Sequence, residues 1–266
     1  MPFQEFTQNE KKSRLLNAYQ LTNKVDGVNK GRQNGIIFYV PAWLTSKIDP
    51  TTGFVDLIHP KYQSVADSIS FFEKVDDIRF NSTENMFEFD IDYDKFPKAS
   101  SSYKKKWTIY SNGERIINYR NPEKNNEFDN KTIVLTDEYK ALFSEFGVDI
   151  CGDIKSSIVS ISNKDFHHRL IKLFAQTLQM RNSETGNVAV DYLISPVKNE
   201  RGEFFDSRNY KGSEASLPES ADANGAYNIA RKALWAIEVL KNTADDELDK
   251  ANLTVKNAEW LEYAQK

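Results

Sequence analysis

Three features of the sequence predict an α/β protein. Residues 35–40, Gly-Ile-Ile-Phe-Tyr-Val, are apolar on both phases of a two-residue period, as in a central strand covered on both faces. Residues 86–94, Met-Phe-Glu-Phe-Asp-Ile-Asp-Tyr-Asp, alternate instead, as in a half-buried antiparallel strand. From Thr136 onward, apolar residues recur three and four apart, the spacing of amphipathic helices.

In chain order, Pro41 ends the first strand, and loop signals extend from Thr45 to Gly53. Within 86–94, Phe87, Phe89, Ile91 and Tyr93 point to one side and Glu88, Asp90, Asp92 and Asp94 to the other, which reads as a solvated acidic face. Strands are expected at Trp107–Tyr110 and Arg115–Tyr119, with Asn112-Gly113 between them as a hairpin turn. Thr136 is a candidate cap for a helix ending at Gly147. Ser162 or Asn163 starts a longer helix to about Met180, with Phe166, Leu170, Leu173, Phe174, Thr177 and Leu178 as its buried stripe. Residues 188–194 and 203–206 form a strand pair joined through Asn199–Gly202. After a polar loop from Lys211 to Ser220, a third helix carries the stripe Ala226, Ile229, Ala230, Ala233, Ile237 and Leu240. Asn257 starts a short last helix with Trp260, Leu261 and Ala264. The two α/β ends read as one domain interrupted by its middle.

The chain has 266 residues, 39% hydrophobic and 28% charged, a globular composition with length for one large domain or two ordinary ones. The longest apolar run, Gly35 to Leu44, is about half of what a membrane span needs and contains Pro41. The N-terminus shows no basic and then apolar pattern of a signal peptide, so a cytoplasmic location is expected. A single cysteine, Cys151, excludes an internal disulfide and any zinc site of several thiolates; it reads as a buried structural residue. With 35 basic and 39 acidic residues the net charge is −4, so any contact with nucleic acid must come from local clusters or from a larger basic assembly.

Ala221-Asp222-Ala223-Asn224-Gly225-Ala226-Tyr227-Asn228-Ile229-Ala230 places a carboxylate at the start of a long helix. Asp222 is then either an N-cap for free backbone N–H groups or a rigid, ionised ligand for a hard cation such as Mg²⁺. Arg181 is expected at the end of the preceding long helix, as a cation complementing its C-terminus. His59, His167 and His168 read as surface or packing residues, since adjacent helical side chains splay about 100° apart. Lys104, Lys105 and Lys106 read as a solvated loop or a phosphate contact.

The 221–230 segment resembles the third conserved block of the RuvC nuclease fold in type V CRISPR effectors and their transposon-encoded relatives. Gln33–Pro50 resembles the strand and loop after the second block. Leu178–Ser183, Asp191–Val197 and Phe205–Arg208 resemble the Nuc domain. Together they resemble the type V-A RNA-guided DNA endonucleases, the Cpf family, from about Leu16 to Lys266.

The resemblance implies an incomplete RNase H-like RuvC domain, residues 1–54 and 215–266, interrupted by a mixed α+β Nuc insertion at 55–214. It implies Mg²⁺-dependent DNA cleavage by three carboxylates and two ions about 4 Å apart, with Mn²⁺ as an alternative ion. Asp222 matches the third carboxylate, and the other two are expected upstream of this chain. Arg181 matches the arginine that brings a DNA strand to the RuvC centre. Asp191 matches an acid that could orient it through a bidentate pair. The residue-level alternative for Asp191 is an outward polar strand position. Ser183 is a phosphate donor or a turn cap.

The loop 45–53 departs from the transposon relatives' pattern, which has a zinc-ribbon cysteine pair there. Asp49 and Thr52 occupy those places, so no zinc is expected. The implied partners are guide RNA, target DNA and the missing N-terminal RuvC segments, in cis or in trans, with no membrane, in a bacterial cytoplasm. The alternative is a non-catalytic nucleic-acid-binding remnant or accessory chain that complements a separate N-terminal half. On either reading, the isolated chain is expected to be inactive or nearly so.

Overall fold

In a computed structural model, the structure describes residues 40–184, 187–209, 217–242, 244 and 256–266. The expected strand at 35–40 therefore lies, except for Val40, outside the described residues. The elements are α1 (Val65–Lys74), β1 (Asp77–Asn81), β2 (Met86–Asp92), β3 (Lys106–Tyr110), β4 (Glu114–Asn121), β5 (Glu127–Val134), α2 (Leu135–Glu145), α3 (Ile154–Ser160), α4 (Lys164–Leu178), β6 (Arg181–Glu184), β7 (Asn187–Lys198), β8 (Phe204–Asp206), α5 (Ala221–Asn242) and α6 (Asn257–Gln265). Among the described residues the chain is a mixed α/β structure of helices and three small antiparallel sheets, ordered β1-β2-β3, β4-β5 and β6-β7-β8. Among the described residues, no helix is long and apolar enough to cross a membrane.

The alternating strand is β2. Phe87, Phe89, Ile91 and Tyr93 are all buried, and the Phe87 and Phe89 rings pack edge-on or tilted against Tyr139, Phe143 and Phe174 of α2 and α4. The acidic face is less solvated than expected. Glu88 is buried, and Arg79 on the neighbouring strand pairs with Asp77, Glu88 and Asp90. The register explains this: Arg79 faces Glu88 directly across the β1–β2 ladder.

Asn112-Gly113 is not a hairpin turn. β3 pairs with β2, and β4 pairs with β5, so the dipeptide links two sheets. Gly113 still takes the left-handed conformation, at φ +71°. The local turn chemistry holds, but the strand partner is set by burial against α2 and α4. Thr136 lies inside α2 rather than at its cap, and its hydroxyl donates to the Ser111 carbonyl. Asn163, not Ser162, caps α4, accepting from the Phe166 N–H. The whole expected stripe of α4 is buried. His167 is a core residue between the Ser68 hydroxyl and the Ile161 carbonyl; His59 and His168 are not in the core. Cys151, expected in the core, is exposed, held in a loop by the Asp149 carboxylate.

The end of α4 is closed by an unusual residue. Arg115 of β4 is fully buried, and its guanidinium donates to the carbonyls of Gln176 and Thr177, the last turn of α4, and to those of Asn112 and Glu114. Burial lowers it to about 10, which still leaves it charged at neutral pH. Helix-end carbonyls have no partners within the helix and carry the negative end of its dipole, so this buried cation is compensated by backbone. Beside it, Asn182 of β6 accepts from the Ile116 N–H and donates to the Met180 carbonyl.

One core runs from Ile48 and Phe54 through the β2–α2–α4 layer to Trp260, Leu261 and Ala264 of α6. Gly53 sits at φ +69°, and a Cβ there would lie 2.2 Å from the Ala264 carbonyl oxygen. Gln265 fastens the same contact, donating to the Gly53 carbonyl and accepting from the N–H groups of Tyr103 and Lys104.

Arg115→Met should lower unfolding stability by about 3 kcal/mol, because several buried carbonyls lose their donor at roughly 1–3 kcal/mol each. Urea denaturation measures this, and a loss below about 1 kcal/mol would contradict the capping role.

Candidate active site

The structure brings Arg181, Ser183, Asp191 and Asp222 together. Arg181 is not on a helix: α4 ends at Leu178 with Gln179 as its C-cap, and Arg181 opens β6. The apolar stripe of α4 hid this break, because Met180 continues the buried series beyond the helix end. β6 and β7 pair Ser183 with Asp191 and Arg181 with Leu193. Alternate residues share a face, so Arg181, Ser183 and Asp191 lie on one side of the ribbon. Asn182 and Tyr192 are on the other, against β4.

Asp191 is not an outward strand residue, and its pairing with Arg181 is not bidentate. Its carboxylate is mostly buried. Oδ1 lies 3.2 Å from Arg181 Nε as an ion contact without hydrogen-bond geometry. Oδ2 accepts from the Ala221 N–H at 3.2 Å. One carboxylate thus joins the ribbon to the first residue of α5. That N–H is one of the free donors at a helix start, which explains why an acid is stable there.

Asp222 is not the cap either. Ser220 is: its hydroxyl accepts from the Ala223 N–H, and its carbonyl accepts from the Asn224 N–H. Asp222 is left with its side chain 90% exposed and one oxygen 3.8 Å from Arg181 Nη1. It faces solvent and the arginine, as a ligand shared with another group would have to. Its donor chemistry, a carboxylate oxygen at a helix start, suits Mg²⁺. Still, one carboxylate is a ligand and not a site. Among the described residues no group of three His, Cys, Asp or Glu side chains could hold a metal, and Asp191 is engaged with Arg181 and Ala221.

α5 is fixed by polar residues. The expected stripe fails in its first half: Ala226, Ile229 and Ala230 are exposed, Ala233 and Ile237 are half-buried, the Leu240 side chain lies outside the described residues, and the buried face instead carries Ala221, Asn224, Asn228, Lys232 and Ala236. The reason is what α5 packs against. The turn at 41–48 presents backbone carbonyls, and only donors can satisfy them. Asn224 donates to Ile48, Asn228 to Thr45, and Lys232 to Pro41 and Trp43. The Lys232 ammonium also lies 5.0 Å from the centre of the Trp260 ring. In the same turn, the buried Asp49 carboxylate accepts from both backbone and hydroxyl of Thr51 and from the Thr52 N–H. Asp49 therefore organises this turn by hydrogen bonds.

A family model described as a nuclease domain, NUC, matches residues 48–209, more than half of the chain. The chain belongs to this nuclease-domain family. Arg181, Ser183 and Asp191 of the nuclease domain lie within the matched segment, and Asp222 lies just beyond it. A cleft of about 380 Å³ opens beside Arg181, and Ser46, Lys47, Asp56, His59 and Gln179 are among the residues lining it. Sequence reading missed Lys47 and His59 here, and no local pattern marked them. His59 stands at φ +49° and its N–H donates to Asp56 Oδ1.

Burial lowers the Lys232 ammonium to about 8. Its folded-state pKa is then below the unfolded value of about 10.4, so the unfolded chain binds more protons between these limits. The contribution of Lys232 to stability should therefore rise with pH from about 8 to about 10.4. Comparing unfolding of the wild type and Lys232→Met across that window measures it: the difference should change with pH, and a flat difference would contradict the shift.

Proposed function

We propose that this nuclease-domain chain is the C-terminal RuvC/Nuc part of a type V-A CRISPR RNA-guided DNA endonuclease. In this reading, residues 1–54 and 215–266 belong to the RuvC domain and 55–214 to the Nuc insertion. Asp222 is one carboxylate of a Mg²⁺ or Mn²⁺ centre that hydrolyses DNA phosphodiesters. The observation that carries this is the freeing of Asp222: Ser220 does the capping, and the acid stands exposed 3.8 Å from Arg181.

The chain's residues then have distinct parts. Arg181 holds a phosphate of the DNA strand, for which a planar guanidinium is suited. Asp191 takes the Nε edge of that guanidinium and fixes its direction, while Nη1 faces Asp222 at 3.8 Å. Ser183, on the same face of the ribbon, donates a hydroxyl to the strand. Asp222 would hold an ion of a metal pair that, when bound, would supply activation of a water and charge stabilisation of the leaving oxygen. The described residues offer it Asp222 alone, so the remaining carboxylates come from RuvC segments in cis or in trans. Guide RNA and target DNA pair elsewhere in the assembled enzyme, and pairing reads the sequence.

The second reading is an accessory chain that binds nucleic acid and complements a separate N-terminal half. The half-exposed Arg181 beside a cleft supports nucleic-acid binding on either reading. The two readings part at Asp222.

In the enzyme assembled with the other RuvC carboxylates, Asp222→Ala should reduce Mg²⁺-dependent cleavage of single-stranded DNA by at least about 100-fold. It should leave the unfolding midpoint nearly unchanged, since exposed substitutions usually fall within about 0.5 kcal/mol. Retained cleavage, or a clear loss of stability with no loss of cleavage, would make Asp222 merely part of a helix start. Arg181→Ala should also lower cleavage, with a smaller loss in Arg181→Lys, which keeps the charge and loses the fork.

A further inference from the structure

The cleft beside Arg181 does not end there. Lys47 and His59 also line a second cleft of about 780 Å³, whose far walls carry Lys61, Lys74 and Lys98. These lysines come from unconnected places: a turn, a loop, the last turn of α1 and a 3-10 turn at Pro97–Ala99. The folded chain sets them along one groove that joins Arg181 at its near end. Cations outnumber carboxylates along it: Asp67, which accepts from the Ser64 hydroxyl, lines the larger cleft and Asp56 the smaller, against Lys47, Lys61, Lys74, Lys98 and Arg181. No ion pair is found for the four lysines among the described residues, whereas Lys95, Lys105, Lys124 and Lys198 each pair with a carboxylate. Phe71, half-buried and packed on Phe72, Phe96 and Phe174, adds aromatic surface to the same lining.

We propose that this groove is a phosphate track: Lys47, Lys61, Lys74 and Lys98 hold the backbone of a single-stranded polynucleotide whose end is delivered to Arg181. The proposal rests on the nuclease reading and extends it to residues that the site geometry does not use. Charge complementarity selects a polyanion. Cations spaced along a groove with an aromatic side chain in its wall are the pattern that holds single strands without reading their sequence. His59 stands where the two clefts meet, its left-handed backbone held by Asp56.

The test is binding of a fluorescein-labelled oligothymidylate to the full chain, by anisotropy, across a salt series in EDTA. Each phosphate contact with a single strand contributes about 0.7 to the slope of log affinity against log salt. The fourfold variant Lys47→Gln, Lys61→Gln, Lys74→Gln, Lys98→Gln should bind at least about tenfold more weakly, with a slope smaller by about 3. A charge-matched control, Lys131→Gln, Lys155→Gln, Lys164→Gln, Lys172→Gln, should keep most of the affinity and slope. Circular dichroism melting checks that both variants fold. Equal affinity in the wild type and the groove variant overturns the track, as does an equal loss in the control or displacement of the DNA by polyglutamate as readily as by unlabelled oligonucleotide. Because EDTA removes cleavage, this result stands apart from the Asp222 test: failure of metal-dependent cutting leaves the binding comparison intact.

Discussion

The Asp191 carboxylate is the joint on which the arrangement depends. One of its oxygens lies against the Arg181 side chain and the other accepts from the backbone at the start of α5. The two contacts connect pieces of chain separated by 30 residues and different in kind, the β6–β7 ribbon of a three-stranded sheet and a long helix. Neither contact is strong by itself. Arg181 is half exposed, and ion pairs in such positions contribute little to stability. Their value is geometric: they set where a guanidinium and an exposed acid stand relative to each other. The supports behind them are firmer. Arg115 closes the end of α4 and Asn182 ties β6 to β4, so the ribbon is anchored from its opposite face before Asp191 acts on it.

Much of the fold was legible because hydrophobic period is a local property. The α4 stripe, the alternating β2 strand, the β7–β8 pair and the apolar side of α6 all follow from spacing alone. The misreadings share a cause: partners distant in sequence. The hairpin failed because strand pairing is decided by which helices cover the strands. The α5 stripe failed because Asn224, Asn228 and Lys232 answer carbonyls nearly two hundred residues away. Arg115 carries no signal at all, since a basic residue in a strand ordinarily points to water. The four site residues were named by resemblance, whereas their mutual distances belong to the fold.

Charge shows the same division between composition and structure. A net charge of −4 argues against binding nucleic acid by bulk attraction. The fold nevertheless sorts the charges. Acids of β1 and β2 gather around Arg79, and those near the ribbon's far face gather around Arg208, which pairs with Asp206 and Glu114 and lies 4.2 Å from the Tyr192 ring centre. The lysines along the 47–98 groove are left without such partners among the described residues. Local potential over a phosphate-sized distance depends on such sorting and very little on the total, because salt screens charges beyond about 8–10 Å.

The separation of the cap from the exposed carboxylate at α5 has the same logic. A helix start offers free N–H groups and the positive end of a dipole, and an acid placed there is drawn into satisfying them. An aspartate that caps has its lone pairs committed and its direction fixed toward its own helix. A ligand for a shared cation must have them directed outward. The sequence Ser220-Ala221-Asp222 meets both needs in adjoining positions: the hydroxyl of Ser220 and the carboxylate of Asp191 take the N–H groups of Ala223 and Ala221, so Asp222 keeps the electrostatic benefit of the helix start without being consumed by it. The small neighbours on either side leave it accessible. That outward carboxylate stands on a helix locked by Asn224, Asn228 and Lys232 to the turn at 41–48, so the fold and not its own hydrogen bonds fixes where it points.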